Sequence, residues 1–394
     1  MNKIKQLFPI ACITVLSLSL VPAGIEACSL IKMTTGGKTI VGNNEDFQNA
    51  DTRIWFEPET GKLYGAVYVG YNNLFPEGGI NEAGLMFDAF GMDNKPLKDT
   101  TGKLSIFELD LKRRIMKECS TVEQVKVLIE KYNLYFWSHA VWVFVDKSAN
   151  YLVVDGDNST LGNNQYFVQT NFRQSEINDE KDITCSRYLK ALSLLRSRGE
   201  ASVAYCTSLM DSVHQQTTLY TTVYDLNAGT IDLYHFHNFS KVIRFNIKDE
   251  LKKGCRVLRI PELFPETVNP AYKGMLNLKS TFDSLAFYFT ANESVRRTAI
   301  IDDLRKRDYV IHVMENSGYE YLHMGELQKA IGIFTLVIEF YPQMPHGYHF
   351  LGEAYMEGKQ YPLALQNYSR SVMLYPADVD GKQRIAVLNE LLKK

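Results

Sequence analysis

At 394 residues, the chain has room for about two domains. Hydrophobic content of 45% and charged content of 22% are those of an ordinary globular protein. A net charge of −2 with no basic stripe sets nucleic-acid binding aside.

Residues 1–27 read as a secretory signal. Lys3 and Lys5 give the positive start, 7–21 the apolar core, and Pro22-Ala23-Gly24 breaks it before the small residue Ala27. The core is short for a bilayer span, and no later stretch reaches the ~20 apolar residues of a spanning helix. The expectation is an exported protein, periplasmic or extracellular, with no transmembrane segment. Lipid anchoring at Cys28 is the competing reading. Glu26 fits it poorly, and a lipid would block the amine discussed next.

Cleavage after Ala27 would leave Cys28 as the first residue. A thiol titrates near ~8.5 and an α-amine near ~7.7–8.0, so an N-terminal Cys can pass its proton to its own amine. Nucleophile and base then share one residue. The plain alternative is a buried structural cysteine. Of the other cysteines, Cys12 leaves with the signal. Cys119, Cys185, Cys206 and Cys255 have neither CxxC nor metal-ligand spacing. One or two disulfides are possible in an oxidising compartment, and no metal or organic cofactor is implied.

Beyond Cys28, apolar runs 29–33 and 38–41 flank Thr34-Thr35-Gly36-Gly37, a hairpin signal. This places Cys28 and Asp46 at the open ends of paired strands. Strands are expected over 62–71, 86–90, 140–145, 151–155 and 166–170. Helical spacing covers 104–119, 122–132 and 186–195. Segments 217–226 and 230–236 form a second hairpin around Asn227-Ala228-Gly229. The order suggests sheets with helices packed on them. Pro261, Pro265 and Pro270 mark a boundary, and everything after 272 reads as helix.

That helical part repeats. Gly318, Tyr321, Ala330, Phe334 and Pro342 recur 34 positions later as Gly352, Tyr355, Ala364, Tyr368 and Pro376. The period and residue types resemble the tetratricopeptide repeat, a helix-turn-helix unit. Two repeats over about 311–378 are expected, capped by helices over 282–315 and 381–392. They either bind a protein partner, or a second copy, in a groove or pack as a cover on the first domain.

Further motifs carry a second resemblance. Cys28-Ser29, then Gly42-Asn43-Asn44-Glu45-Asp46, Asn81-Glu82-Ala83-Gly84-Leu85, Gln169-Thr170-Asn171 and Ser186-Arg187-Tyr188 resemble, in order, the motifs of the N-terminal-nucleophile cysteine hydrolases. That group includes the choloylglycine hydrolase, penicillin V acylase and isopenicillin N acyltransferase families. The resemblance covers roughly 28–239. It implies an α+β chain: an αββα sandwich over 28–265, followed by an all-α tetratricopeptide-like region over 266–394. It also implies cleavage of linear non-peptide C–N bonds of a small N-acyl amide through an acyl-enzyme. In that scheme Cys28 is nucleophile, and Asp46 orients its amine. Asn171 donates to the oxyanion and Arg187 holds the site electrostatically. Each has a plainer reading: Asp46 as a turn residue, Asn171 as a strand-end cap, Arg187 as a solvated helix residue. Asn81 reads as a turn former.

Two departures bear on substrate. Asn43 stands where the family has Arg, so Arg187 or Arg53 would have to supply the cation, or the substrate differs. Gly91 falls where the bile-salt enzymes place an Asn, which argues against simple transfer of bile-salt specificity. Asn43, Phe87 and Asp88 are candidate substrate contacts, and Trp55, Phe56 and Phe87 either line an acyl pocket or fill core. The activity expected is hydrolysis of an N-acyl amide. Acyl transfer from the same intermediate, or a catalytically dead adaptor binding partners through its repeats, are the alternatives.

Overall fold

The structure, a computed structural model, describes residues 28–393 except 48, 93–94, 96, 98–101, 105, 107, 198–199, 268, 291–293, 305–309 and 377. The expected signal lies outside the described residues.

Gly36 and Gly37, with φ of 59° and 76°, close a two-residue turn that side-chain-bearing residues adopt with difficulty. It joins β1 (Ser29–Thr35) to β2 (Lys38–Asp46). The chain continues through β3 (Thr52–Glu57), β4 (Ala66–Tyr71), β5 (Pro76–Asn81), β6 (Leu85–Gly91), α1 (Glu108–Glu118), α2 (Val122–Ile129) and β7 (Ala140–Asp146). Next come β8 (Tyr151–Asp155), β9 (Asn158–Gly162), β10 (Tyr166–Gln169), α3 (Ser186–Ser197) and α4 (Val203–Val213). The second hairpin is β11 (Thr218–Asp225) and β12 (Thr230–His235), followed by β13 (Ile243–Asn246), α5 (Ile247–Leu251), β14 (Arg256–Arg259) and α6 (Ile260–Leu263).

Among the described residues these strands make two antiparallel sheets. One runs β10-β1-β2-β11-β12-β13, the other β14-β3-β4-β5-β6-β7-β8-β9. Alternation along each strand divides its side chains between two buried layers. Leu30, Val41, Met86 and Phe90 meet in the core between the sheets. Ile31, Met33 and Ile40 face α3 and α4, and Leu85 with Phe144 faces α1 and α2. The result is a four-layer αββα sandwich. Gly42 has a packing reason: a Cβ there would lie 2.6 Å from Met210 Cγ on α4, so only glycine lets that helix press on β2.

From α7 (Pro270–Thr290) onward the elements are helices: α8 (Ser294–Leu304), α9 (Val310–His323), α10 (Leu327–Phe340), α11 (Pro345–Glu357), α12 (Tyr361–Leu374) and α13 (Val379–Leu391). The repeat residues do what their types dictate. Phe334 of α10 packs so closely on Gly318 of α9 that a Cβ there would be 2.3 Å from its ring, and Tyr368 of α12 lies 3.1 Å from the same point on Gly352 of α11. Pro342 and Pro376 follow the ends of α10 and α12. The region is tied to the sandwich. Asn72 donates to Glu320 at 2.9 Å, and Asn73 donates to Asn316 at 2.8 Å.

The disulfides allowed by the sequence are not formed. Cys28, Cys119, Cys185, Cys206 and Cys255 are all unpaired. Cys119 and Cys206 are buried in different layers, under α1–α2 and α3–α4 respectively, and Cys255 is exposed, which keeps them apart. No helix among the described residues is long and apolar enough to cross a membrane.

Candidate active site

The tight turn fixes the register of the first hairpin: Thr35 pairs with Lys38, and Ser29 with Asn44. Continued one residue, that register sets Cys28 opposite Glu45. On the other side Leu30 pairs with Gln169, and two further residues set Cys28 opposite Asn171. Cys28, Glu45, Asp46 and Asn171 accordingly line one cavity of about 760 Å³ at the end of the sandwich.

The Cys28 thiol points at Glu45 Oε2, 3.6 Å away. Tyr71 donates its hydroxyl to Glu45 Oε1 at 2.6 Å. Burial, then Glu77, pushes the Glu45 carboxyl up to about 8, so it is largely neutral at pH 7. Burial also pushes the thiol well above its ordinary range, helped by Glu45 and Asp46 and opposed by a hydrogen bond from the Asp46 backbone. Asp46 accepts from Gln215 at 2.7 Å and from Thr218. Burial raises it to about 6, with those donors and Arg187 holding it down. It is 1% exposed and is the last residue of β2, a buried strand end and not a turn residue. Arg187, the second residue of α3, donates to the Cys28 carbonyl at 2.8 Å and to Ser29 Oγ at 2.6 Å. It lies 3.7 Å from Asp46 Oδ2 and is not a solvated helix residue. Asn171 donates one amide N–H to the Gly91 carbonyl at 3.1 Å, which leaves its second N–H for another acceptor.

Carboxylates around Cys28 make the thiol a weaker acid and would make a free α-amine at the same residue a stronger base. Proton transfer from one to the other moves charge only a short way in the same field. The two effects therefore offset one another in part, while loss of the proton to solvent is opposed. An acidic cavity is compatible with a thiol whose base is its own amine.

Sequence reasoning missed Glu45, Tyr71, Glu77 and Lys112. Lys112 on α1 donates to the Pro76 carbonyl at 2.8 Å, pairs with Glu108 at 2.9 Å and lines the cavity. Among the expected substrate contacts, Phe87 requires correction. It lies in the outer layer, its ring 6.0 Å from Trp142 and 6.2 Å from Phe144, on the side of β6 turned away from Cys28. Trp55 is in the same outer layer, while Phe56 packs between the sheets. Asp88, the next residue, faces inward. It is buried, its carboxyl driven well up by burial and Glu45, and it adds to the field that raises the thiol without lining the cavity. Asn43 faces the same inter-sheet space as Leu30, fully buried, with no hydrogen-bond partner for its amide among the described residues. Arg53 does not replace the missing cation at the cavity: it pairs with Asp51 at 2.5 Å and Glu320 at 3.5 Å. Arg187 is the guanidinium beside Cys28. Asn81 donates to the Met116 and Cys119 carbonyls at 2.9 and 2.8 Å, a structural role.

A scan against protein-family models gave no match, and neither did a search of curated proteins. Solved structures similar to this chain include a variant of the conjugated bile acid hydrolase from Clostridium perfringens, at 15% identity and a TM-score of 0.46, covering 59% of this chain and 96% of that one. The penicillin V acylase from Agrobacterium tumefaciens is similar at 14% identity and a TM-score of 0.45, covering 58% and 90%. Over the helical region, MamA is similar at 19% identity and a TM-score of 0.22, covering 30% and 74%. At these scores the likenesses carry no argument about chemistry, which rests on the residues themselves.

Proposed function

We propose that the chain is an exported cysteine amidohydrolase that cleaves the linear C–N bond of a small N-acyl amide through a thioester on Cys28. The observation that supports this best is convergence. The Cys28 thiol points at Glu45, Arg187 donates to the Cys28 carbonyl, and Cys28, Glu45, Asp46 and Asn171 line one cavity large enough for a small substrate.

Removal of residues 1–27 exposes the Cys28 amine. The thiol gives its proton to that amine, and sulfur bonds to the substrate carbonyl carbon. The resulting oxyanion takes a hydrogen bond from the second N–H of Asn171. Collapse breaks the C–N bond, and the leaving amine takes the proton from the Cys28 ammonium. Water then adds to the thioester and gives a proton to the amine. Thiolate leaves, recovers that proton, and the free acid departs. Asp46 orients the Cys28 amine, and Arg187, donating to the Cys28 carbonyl, holds the residue in place. If an amine replaces water in the second half, the same intermediate gives acyl transfer.

The first test is the mass of the N-terminal peptide of the mature protein from its native host. A free Cys28 at position one supports the proposal, and a lipidated Cys28 or a different start removes the base. The second is turnover of N-acyl amides by the wild type and by Cys28→Ala. Activity retained in Cys28→Ala sinks the proposal.

A further inference from the structure

The cavity at Cys28 adjoins a second, of about 550 Å³, between the sandwich and the helical repeats. The two share Phe75, Glu108, His139 and Asn316. The far wall of the second is built by the first helix of each repeat, α9 and α11, and by α13. The repeats thus wall a cavity that adjoins the one at Cys28.

Two kinds of group line this groove. Aromatic faces come from Phe75, Tyr319 and Phe350, with the last two in edge contact at 4.9 Å. Phe75 already receives a cation, Lys112 Nζ, 3.6 Å from its ring centroid. Carboxylates come from both walls. Asp378 and Asp380 are matched by His349, at 3.3 and 2.9 Å, and Asp380 also by Arg384 at 3.6 Å. Glu108 is matched by Lys112. Asp110 on α1 and Glu353 on α11 form no salt bridge among the described residues; Glu353 accepts the Tyr319 hydroxyl at 2.8 Å and lies in the field of Arg384. Burial lowers His139 and His323, so neither adds positive charge at pH 7. Aromatic faces beside carboxylates that outnumber the cations of the groove suit an organic ammonium, through cation–π contact and charge together.

We propose that the two cavities form one elongated substrate site, and that the groove against the repeats takes a positively charged amine end of the N-acyl amide whose carbonyl sits at Cys28. This rests on the amidase reading for the Cys28 half alone. It gives the helical region a role in substrate selection, with no second protein required.

Binding can be read without chemistry in Cys28→Ala. N-butanoylcadaverine, which ends in an ammonium, and N-butanoylhexylamine, of the same length and ending in a methyl, are titrated into that variant by calorimetry. The expected result is binding of the cationic amide about ten-fold tighter, with the preference shrinking as salt rises. Asp110→Lys in the same background, an exposed position, should cut the preference about three-fold or more. Equal affinities, a preference indifferent to Asp110→Lys, or no binding of either amide would overturn the proposal. So would sedimentation showing a dimer that buries the groove. Wild-type turnover of the same two amides reports on Cys28 independently: a binding preference without turnover supports the groove and refutes the hydrolase.

Discussion

Glu45→Gln isolates the least expected group in the site, because it keeps the side-chain shape and removes the charge. The folded carboxyl holds its proton up to about pH 8, whereas the unfolded chain releases it near ~4.3. Its folded pKa is raised, so the stability associated with it is complete below the unfolded value and is lost as pH rises towards 8. The loss runs at ~1.4 kcal/mol per pH unit and reaches about 3–4 kcal/mol by pH 7. Gln carries no such dependence. The difference in urea unfolding free energy between variant and wild type should therefore grow in favour of the variant from pH 5 to pH 7.5. Other buried acids, Asp88 and Glu77 among them, are present in both chains, so much of their contribution subtracts. Parallel stability curves would refute the reasoning.

The same substitution tests the chemistry. At 3.6 Å and an effective dielectric of ~20, a Glu45 carboxylate and a Cys28 thiolate repel by about 4–5 kcal/mol. For a lone thiolate that is on the order of a thousand-fold in population, and the ammonium on the same residue offsets part of it. Below pH 8 the neutral acid does not oppose attack, and above it the carboxylate does. Wild-type kcat/KM on an N-acyl amide should fall above about pH 8, and the fall should move upward or vanish in Glu45→Gln. An alkaline limb unchanged in the variant would remove Glu45 from the account.

Asn171→Ala should lower kcat by about a hundred- to a thousand-fold with little change in KM, the usual effect of removing one oxyanion donor; an unchanged kcat would return Asn171 to a strand-end cap. Arg187→Ala removes a cation that holds Asp46 down, so the Asp46 titration should move above pH 6, followed by carboxyl carbon NMR. Gly318→Ala sets a methyl 2.3 Å from the Phe334 ring; net of ~1 kcal/mol gained in helix propensity, it should destabilise the repeats by about 1–2 kcal/mol, read as a lower Tm. His349, raised to about 9 by Asp378 and Asp380, adds stability that is complete below pH ~6.5 and lost as pH rises through 9. His349→Gln should flatten that slope, worth at most roughly 3 kcal/mol, in pH-dependent thermal melts.

How far the site could be read in advance depends on the reach of each signal. The Gly36-Gly37 turn was legible, and with it the register that sets Cys28 opposite Glu45. Glu45 was passed over because the motif draws attention to Asp46, although a strand's period of two puts neighbours on opposite faces. Phe87 failed for a related reason. Both faces of β6 are covered, so apolarity cannot say which residues look toward Cys28. Asp88 and Phe87 are told apart only by the layers above and below. Lys112 and Glu77 come from elements remote from the hairpin, and no local pattern announces them. The edge strands β13 and β14, four residues each, are too short to show a period.

The repeats were legible for the opposite reason, since Gly318 meets Phe334 and Gly352 meets Tyr368 within one local unit. Their docking was not, because it depends on pairs 248 and 243 residues apart, Asn72 with Glu320 and Asn73 with Asn316. Those asparagines sit in the loop after β4, just before Phe75, which lines both cavities. The same turn therefore ties the repeats to the sandwich and helps wall both cavities. Fixing the helical region on the sandwich and setting the groove beside the cavity at Cys28 are one structural event, carried by polar contacts that only the folded chain brings together.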